Sequence, residues 1–168
     1  MKILITYHSD TGNTEAVAKS MAEGLAGEDV TLLSAKEVDP ASLNSYDLIF
    51  LGSGTYGGAL GKSVKKLIKA APDLSSKFVL FCTHASPDPA PYTKAFKKLQ
   101  KKITECECEI CAQFQCIGEL KNPQVVDVLL KTDPTSKEWL DAAKGHPDAN
   151  DLENAKKFAS SLLQKIEI

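Results

Sequence analysis

Ser9-Asp10-Thr11-Gly12-Asn13-Thr14 lies between a short apolar strand at 2–7 and an amphipathic helix that begins near Glu15. A turn rich in hydroxyls and glycine at the start of a helix gathers unpaired backbone N–H groups and the positive end of the helix dipole. Such a turn is suited to a phosphate dianion. The chain contains twenty lysines and no arginine, which excludes a bidentate guanidinium clamp. Amides, hydroxyls and a lysine would therefore hold any phosphate.

Outward from this turn, apolar runs and helical periodicities alternate to the end of the chain. Strands are predicted at residues 2–7, 30–33, 47–51, 78–82 and 109–117, the last of them at a sheet edge. Amphipathic helices are predicted between and after them. Five strands that alternate with helices are typical of an α/β protein with a doubly wound parallel sheet and helices on both faces. We expect one domain, 1–168.

Three helix starts are predicted from capping residues. They are Asn122 ahead of Pro123, Thr135 paired with Glu138, and Asn150 paired with Glu153.

Three loops follow strands of the predicted sheet at one edge. They are residues 9–14, 52–58 and 83–91, and each is rich in glycine, proline or hydroxyl residues. In open α/β sheets ligands bind beyond the carboxyl ends of the strands, where the strand order reverses. We therefore expect the three loops to converge on one site.

Composition excludes several classes of protein. A formal net charge of −2 gives no global basic surface for nucleic acid. No apolar run has the roughly 20 residues that a membrane helix needs, and no signal peptide is recognisable at the N-terminus. Five cysteines, an odd number with four close together, argue against a secreted disulfide framework. A reducing cytoplasm is the expected location.

In this order the three loops resemble those of the flavodoxin family, and the similarity spans essentially the whole chain. Residues 7–14 are similar to the family's FMN-phosphate loop, and residues 52–58 to the loop that flanks the flavin ring. Residues 83–86 stand where the family's third loop touches the pyrimidine end of the flavin. Residues 145–158 resemble the C-terminal region of many flavodoxin-like proteins. The resemblance implies a flavodoxin-like sheet of five strands, in the order 2-1-3-4-5, and one FMN.

The resemblance also implies which residues bind the cofactor. They are Ser9, Asp10, Thr11, Gly12, Asn13, Thr14, Ser53, Gly54, Thr55, Tyr56, Gly57, Gly58, Thr83, His84, Ala85 and Ser86. The hydroxyls of Thr11 and Thr14 would bind the phosphate with the amides of Gly12 and Asn13, and Tyr56 would stack on the flavin. A peptide flip at Gly57 would turn its carbonyl toward the protonated N5 of the flavin. No catalytic residue and no metal ligand is assigned.

The chain departs from the family pattern in two respects. The third loop has Pro87, Pro89 and Pro91 in place of an aromatic residue, and Tyr92 is the candidate substitute. The helices after the second and third loops are rich in lysine, whereas the family surrounds its flavin with acidic side chains. These lysines are Lys62, Lys65, Lys66, Lys69, Lys94, Lys97, Lys98, Lys101 and Lys102. Close to a flavin they would raise its potential, but they are equally typical of a solvated helix face.

Three functions are compatible with these patterns. The first is an electron carrier, monomeric or weakly dimeric, that works between a reductase and an acceptor protein. The alternative is an FMN-dependent NAD(P)H oxidoreductase that acts on a quinone or another small acceptor. The third is a metal-binding or thiol-sensing module built on the cluster Cys106, Cys108, Cys111 and Cys116. Strand alternation argues against the third, since it predicts Cys108 and Cys116 on one face and Cys111 on the other.

Simpler interpretations stay open for single residues. The turn at 9–14 would also serve as a plain helix cap, and Tyr56 would also fit an ordinary exposed loop. His84 either hydrogen-bonds the flavin or makes local hydrogen bonds only. Cys82 ends the fourth predicted strand, close to the expected flavin, where it would also serve as a packing residue.

Overall fold

A computed structural model describes residues 1–72, 74–86 and 90–166. The strands are β1 Lys2–His8, β2 Asp29–Ser34, β3 Leu48–Tyr56, β4 Ala59–Leu60, β5 Lys77–His84 and β6 Ile110–Ile117. The helices are α1 Asn13–Gly24, α2 Lys62–Ala70, α3 Ala90–Glu105, α4 Pro123–Thr132, α5 Ser136–Ala142 and α6 Ala149–Leu163. A short 3₁₀ helix spans Pro40–Ser45.

Five strands pair in parallel in the order β2-β1-β3-β5-β6, and the two-residue β4 pairs antiparallel with β3. When β4 is left out of the count, this is the predicted order 2-1-3-4-5. The order reverses between β1 and β3, which places the ends of these strands at the switch point where doubly wound sheets bind ligands.

The core forms two layers, one on each face of the sheet, because the strands are buried on both sides. On one face Ile49 and Leu51 of β3 pack with α2 and α3. On the other face Leu48 and Phe50 pack with α1 and α6. The helix residues that meet the sheet are Val64, Leu67, Ile68, Phe96, Leu99 and Ile103 on the first face, and Val17, Met21, Ala155, Ala159 and Leu162 on the second. Most of these positions follow the predicted helical periodicity.

The second predicted loop is largely strand. β3 was predicted to end at Leu51, but it continues through Tyr56 and returns in β4. Gly52 fits the sheet because its missing Cβ leaves room for the ring of Phe81, which would otherwise lie 2.0 Å away. The reversal is confined to Gly57 and Gly58, whose φ angles are +57° and +75°. Two consecutive positive φ angles are typical of a type I′ hairpin turn.

The predicted alternation of the cysteines is wrong. Cys108 packs in the layer beneath α2 and α3, whereas Cys116 and Cys111 pack in the opposite layer. The reason is a bulge, because Phe78 pairs with Ile110 and the next residue, Val79, pairs with Ala112. The extra residue, Cys111, reverses the parity of the strand that follows.

Of the three predicted helix starts, two are confirmed and one is wrong. Asn122 caps α4 as expected, since its side chain accepts from two backbone N–H groups. Thr135 is the N-cap residue of α5 as predicted, but its side chain makes no capping hydrogen bond, so the predicted capping box is absent. α6 begins before Asn150, with a capping box in which Asp148 and Asp151 each accept from the other's backbone N–H.

No helix in the described parts of the chain combines the length and the hydrophobicity required to cross a bilayer.

Gly24 at the end of α1 provides a stability test, because its backbone lies directly against α6. A Cβ at this position would lie 2.2 Å from the carbonyl oxygen of Lys156. Helix propensity alone favours alanine over glycine by about 1 kcal/mol, but this clash is with backbone and outweighs that gain. We expect Gly24→Ala to lower the free energy of unfolding by about 1–2 kcal/mol in urea titrations. Glu23→Ala, on the exposed side of the helix, should have almost no effect, and equal stability of the two variants would contradict the packing.

Candidate functional site

A cavity of about 440 Å³ opens at the carboxyl edge of the sheet, between the ends of β1, β3 and β5. Its volume lies in the usual range for small-molecule sites. Described residues of all three predicted loops converge here, the third through 83–86, and all of the predicted cofactor-binding residues except Gly12 and Ser53 line the cavity. Ser53 is fully buried, and its hydroxyl accepts from Gly61 N–H at 2.8 Å. It therefore shapes the hairpin instead of facing a ligand.

The first turn presents unpaired donors to this cavity. Gly12 is the N-cap of α1 with φ +90°, and its N–H donates to Ser9 Oγ at 3.1 Å, so the donor role predicted for its amide is wrong. Within the described ranges, the backbone N–H groups of Asn13, Thr14 and Glu15 face no acceptor. Lys121 Nζ lies 3.5 Å from the Thr11 carbonyl and adds a positive charge beside the turn. Unpaired amides and a positive charge at a helix N-terminus are chemically suited to an anion.

Two buried contacts fix the position of the helix start. Thr14 Oγ1 lies 2.8 Å from Thr83 Oγ1, and Asn13 Nδ2 donates to the Glu119 carbonyl at 2.8 Å. Gly118 is required beside them, since a Cβ there would lie 2.8 Å from Asn13 Nδ2. The hydroxyl of Thr14 is thus engaged with Thr83 of β5 and does not face an anion, contrary to the prediction. Thr14 would therefore contribute its backbone amide.

Tyr56 lies across the first turn at one side of the cavity. Asp10 N–H donates to its hydroxyl at 3.1 Å, and its ring meets the ring of His8 edge-on with centroids 5.4 Å apart. His8 is held in turn, with Nδ1 2.7 Å from Ser63 Oγ and Nε2 3.3 Å from Asp10 Oδ1. Tyr56 remains 38% exposed. It therefore presents an aromatic surface at the cavity mouth while partial burial raises the pKa of its phenol.

The third loop contributes His84, Ala85 and Ser86. His84 Nδ1–H donates to the Ser86 carbonyl at 2.6 Å, and burial lowers the pKa of the imidazole. His84 is therefore a neutral group with a local hydrogen bond. Pro87 and Pro89, and the side chains of Pro91 and Tyr92, lie outside the described residues, so the aromatic role predicted for Tyr92 stays a prediction.

A fourth wall of the cavity was not predicted. It comes from the loop after β6 and from the apolar sides of α4 and α5, including Val125, Leu129 and Trp139. α4 has no buried residue, and Val125 is 42% exposed. The clue in the sequence was the stretch 125–130, which is apolar except for Asp127 and has no sheet face left to cover. The lone tryptophan beside it was a second clue.

The cysteines do not form a common site. Cys108 and Cys116 lie on opposite faces of the sheet, and in the described residues the group whose ligand atoms come together is His146, Asp148 and Asp151. Those carboxylates already cap α6, and Asp151 Oδ2 lies 2.6 Å from His146 Nδ1. This arrangement is explained by helix capping.

Burial also sets the expected reactivity of the thiols. It raises the pKa of Cys82 and of Cys116 to about 12, so little thiolate is present at neutral pH. We expect iodoacetamide at mildly alkaline pH to modify the half-buried Cys106 first, and Cys82 and Cys116 only after unfolding. Peptide mass spectrometry over a time course measures this order, and rapid native modification of Cys82 would contradict it.

Comparison with known proteins agrees with this geometry. A family model described as a flavodoxin domain matches residues 4–160. An uncharacterised protein of Methanocaldococcus jannaschii is 31% identical over 98% of this chain and 99% of its own length. The flavodoxin-like domain-containing protein BilS of Clostridioides difficile is 25% identical over 100% of this chain and 99% of its own length. Oxidised flavodoxin 1 of Bacillus cereus superposes with a TM-score of 0.72 at 19% identity, covering 99% and 100% of the two chains.

Proposed function

The chain belongs to the flavodoxin domain family, and we propose that it binds one FMN and carries electrons between a reductase and an acceptor protein. The observation that carries this proposal is the set of unpaired amides at the start of α1, where Asn13 and Thr14 line a cavity of cofactor size. Five free thiols support the expected location in a reducing cytoplasm.

The residues present fit FMN at its phosphate end. The amides of Asn13, Thr14 and Glu15 would donate to the phosphate oxygens, with the Thr11 hydroxyl and the Lys121 ammonium beside them. This donor set suits a dianion, because the helix dipole and one lysine supply positive charge without arginine. The Asp10 amide becomes available when the Tyr56 hydroxyl leaves it.

Tyr56 and the apolar side chains of Val125, Leu129 and Trp139 line the same cavity. They would hold the flavin ring and shield it from water. Bound FMN supplies the redox chemistry, and the chain sets its affinity and access. Gly57 and Gly58 lie at the cavity edge, and their peptide can turn over without steric cost because neither carries a Cβ. We retain Gly57 as the residue whose carbonyl turns toward the flavin.

Fluorescence titration tests the binding step. Purified apoprotein is added to FMN and, separately, to riboflavin, which lacks the phosphate. We expect quenching at micromolar or lower concentrations of FMN and much weaker binding of riboflavin. Equal affinity for both compounds would contradict the phosphate site, and no binding of either would end the proposal.

The carrier and the oxidoreductase differ in their response to nicotinamides. In stopped-flow mixing of the FMN-loaded protein with NADH or NADPH, we expect no rapid bleaching of the flavin. Rapid bleaching by either nucleotide would favour an FMN-dependent enzyme that acts on a quinone or another small acceptor.

A further inference from the structure

A second groove, of about 450 Å³, lies between α2 and α3 and adjoins the β3–β4 hairpin. Its apolar floor consists of Leu60, Ile68, Ala95 and Leu99. Its rim carries Lys65, Lys69 and Lys102. Gly58 lines both this groove and the cavity of the proposed flavin site, so an occupant of the groove would lie next to the cofactor.

The three rim lysines have no acidic partner among the described residues. The ion pairs of the described chain involve other lysines, and Glu105, the acidic residue of α3, pairs with Lys101 at 3.6 Å. α2 contains four lysines and no acidic residue. Desolvating these cations would therefore require a negatively charged group from outside the groove.

The charge of the chain is divided very unevenly. Residues 59–105 contain ten lysines and three acidic residues, whereas the rest of the chain contains ten lysines and nineteen acidic residues. The small net charge of −2 is therefore the sum of a strongly basic segment, which includes α2 and α3 on one face of the sheet, and an acidic remainder. Such a face attracts negatively charged proteins and orients them before contact.

We propose that this groove is the docking site for an acidic electron-transfer protein, one that inserts an apolar side chain between carboxylates. The apolar floor would receive the side chain, and Lys65, Lys69 and Lys102 would pair with the surrounding carboxylates. The partner's redox centre would then approach the flavin past Gly58. This inference rests on the proposed function, since it assigns a partner to the same site.

Charge reversal with a matched control tests the docking site. The variant K65E/K69E/K102E is compared with K36E/K131E/K165E, which changes the net charge equally at lysines that line neither cavity. FMN affinity is measured first in both variants. A protein that does not bind FMN contradicts the proposed function, and this result is distinct from a failure of the docking site. The probe is a reduced, acidic ferredoxin, and flavin reduction is followed by stopped flow at low and high salt.

We expect the groove variant to lose at least about tenfold in rate at low salt, and high salt to remove most of the difference. The control should stay within about twofold of the wild type. Equal slowing of both variants would overturn the proposal, because only net charge would then matter.

A peptide titration needs no flavin. The acidic peptide acetyl-Asp-Glu-Leu-Phe-Glu-Asp-amide is added to ¹⁵N-labelled protein, and amide shifts are recorded by NMR. We expect amide shifts at Gly58–Leu60 and along the facing sides of α2 and α3. These shifts should be smaller in the groove variant. They should also be smaller with a peptide in which alanine replaces Leu and Phe. Shifts elsewhere would overturn the proposal. Two other results would also overturn the proposal. One is that the groove binds anionic vesicles in preference to the peptide. The other is salt-sensitive self-association of the protein, measured by sedimentation, that only the groove variant abolishes.

Discussion

Replacing Thr11 by glutamate is expected to weaken FMN binding by at least about a hundredfold. Thr11 is exposed at the turn and lines the cavity beside the helix start. A carboxylate there would lie close to the phosphate, and at an effective dielectric of about 20 two unit charges roughly 5 Å apart repel by about 3 kcal/mol. A dianion would experience more than this. The dissociation constant is measured by flavin fluorescence at fixed ionic strength.

Two comparisons make the Thr11 experiment specific. Thr11→Gln has the same size as the glutamate variant without its charge, so it should bind FMN within about tenfold of the wild type. Riboflavin has no phosphate, so its affinity should change far less than that of FMN in Thr11→Glu. If the glutamate variant loses FMN and riboflavin equally, or loses neither, the phosphate does not lie at this turn.

Replacing Gly52 by alanine is expected to lower the free energy of unfolding by about 3 kcal/mol, the upper end of the usual cost of overpacking. The added methyl group would meet the ring of Phe81, whose nearest atom lies 2.0 Å from the position that the alanine Cβ would take. The ring is fully buried, and Gly52 pairs with Tyr7 on one side and Phe81 on the other. The ring can therefore move away from the methyl group only by displacing other core residues. Urea titration with linear extrapolation measures the loss.

A double-mutant cycle identifies the cause of that loss. Phe81→Leu removes the ring that the new methyl group would meet. The combination of Gly52→Ala with Phe81→Leu should therefore cost at least about 1 kcal/mol less than the sum of the single variants. Additive costs would show that the methyl group and the ring do not meet, and that β3 does not continue past Leu51 in this register.

The sheet was predictable because its central strands are apolar on both faces. Ile3–Ile5 of β1 and Phe78–Cys82 of β5 are short continuous apolar runs, a pattern that surface loops do not show. Their alternation with amphipathic helices then restricts the connections to a parallel sheet. The hairpin at Gly57 and Gly58 was less predictable, since two glycines and several polar residues in a strand resemble a loop. β3 continues there because residues 52–54 pair with β5, where Gly52 leaves room for the ring of Phe81, and residues 55–56 pair with β4.

Features that depend on a single pairing were not predictable. The bulge at Cys111 arises from the register with β5, which no local pattern encodes. Asn150 satisfies a capping motif as well as Asp148 does, and His146, which hydrogen-bonds Asp151, supports the earlier start. In both cases the deciding contact joins residues whose relation in space is set by the rest of the fold.

For the candidate site, the loops were predictable and one wall was not. Each loop follows a predicted strand, so topology alone brings residues 9–14 and 83–86 together at one edge. The wall formed by Val125, Leu129 and Trp139 depends on how α4 and α5 fold back over that edge. Capping and periodicity predict that a helix follows Asn122, but they do not predict which surface it covers.

A crystal structure of the protein grown with FMN tests the central claim most directly. We predict that the phosphate oxygens accept hydrogen bonds from the backbone N–H groups of Asn13, Thr14 and Glu15 at about 2.7–3.2 Å. We also predict that Tyr56 has moved off the Asp10 amide. Phosphate bound at any other place, or Tyr56 still closed over a turn without nucleotide at saturating FMN, would contradict the claim.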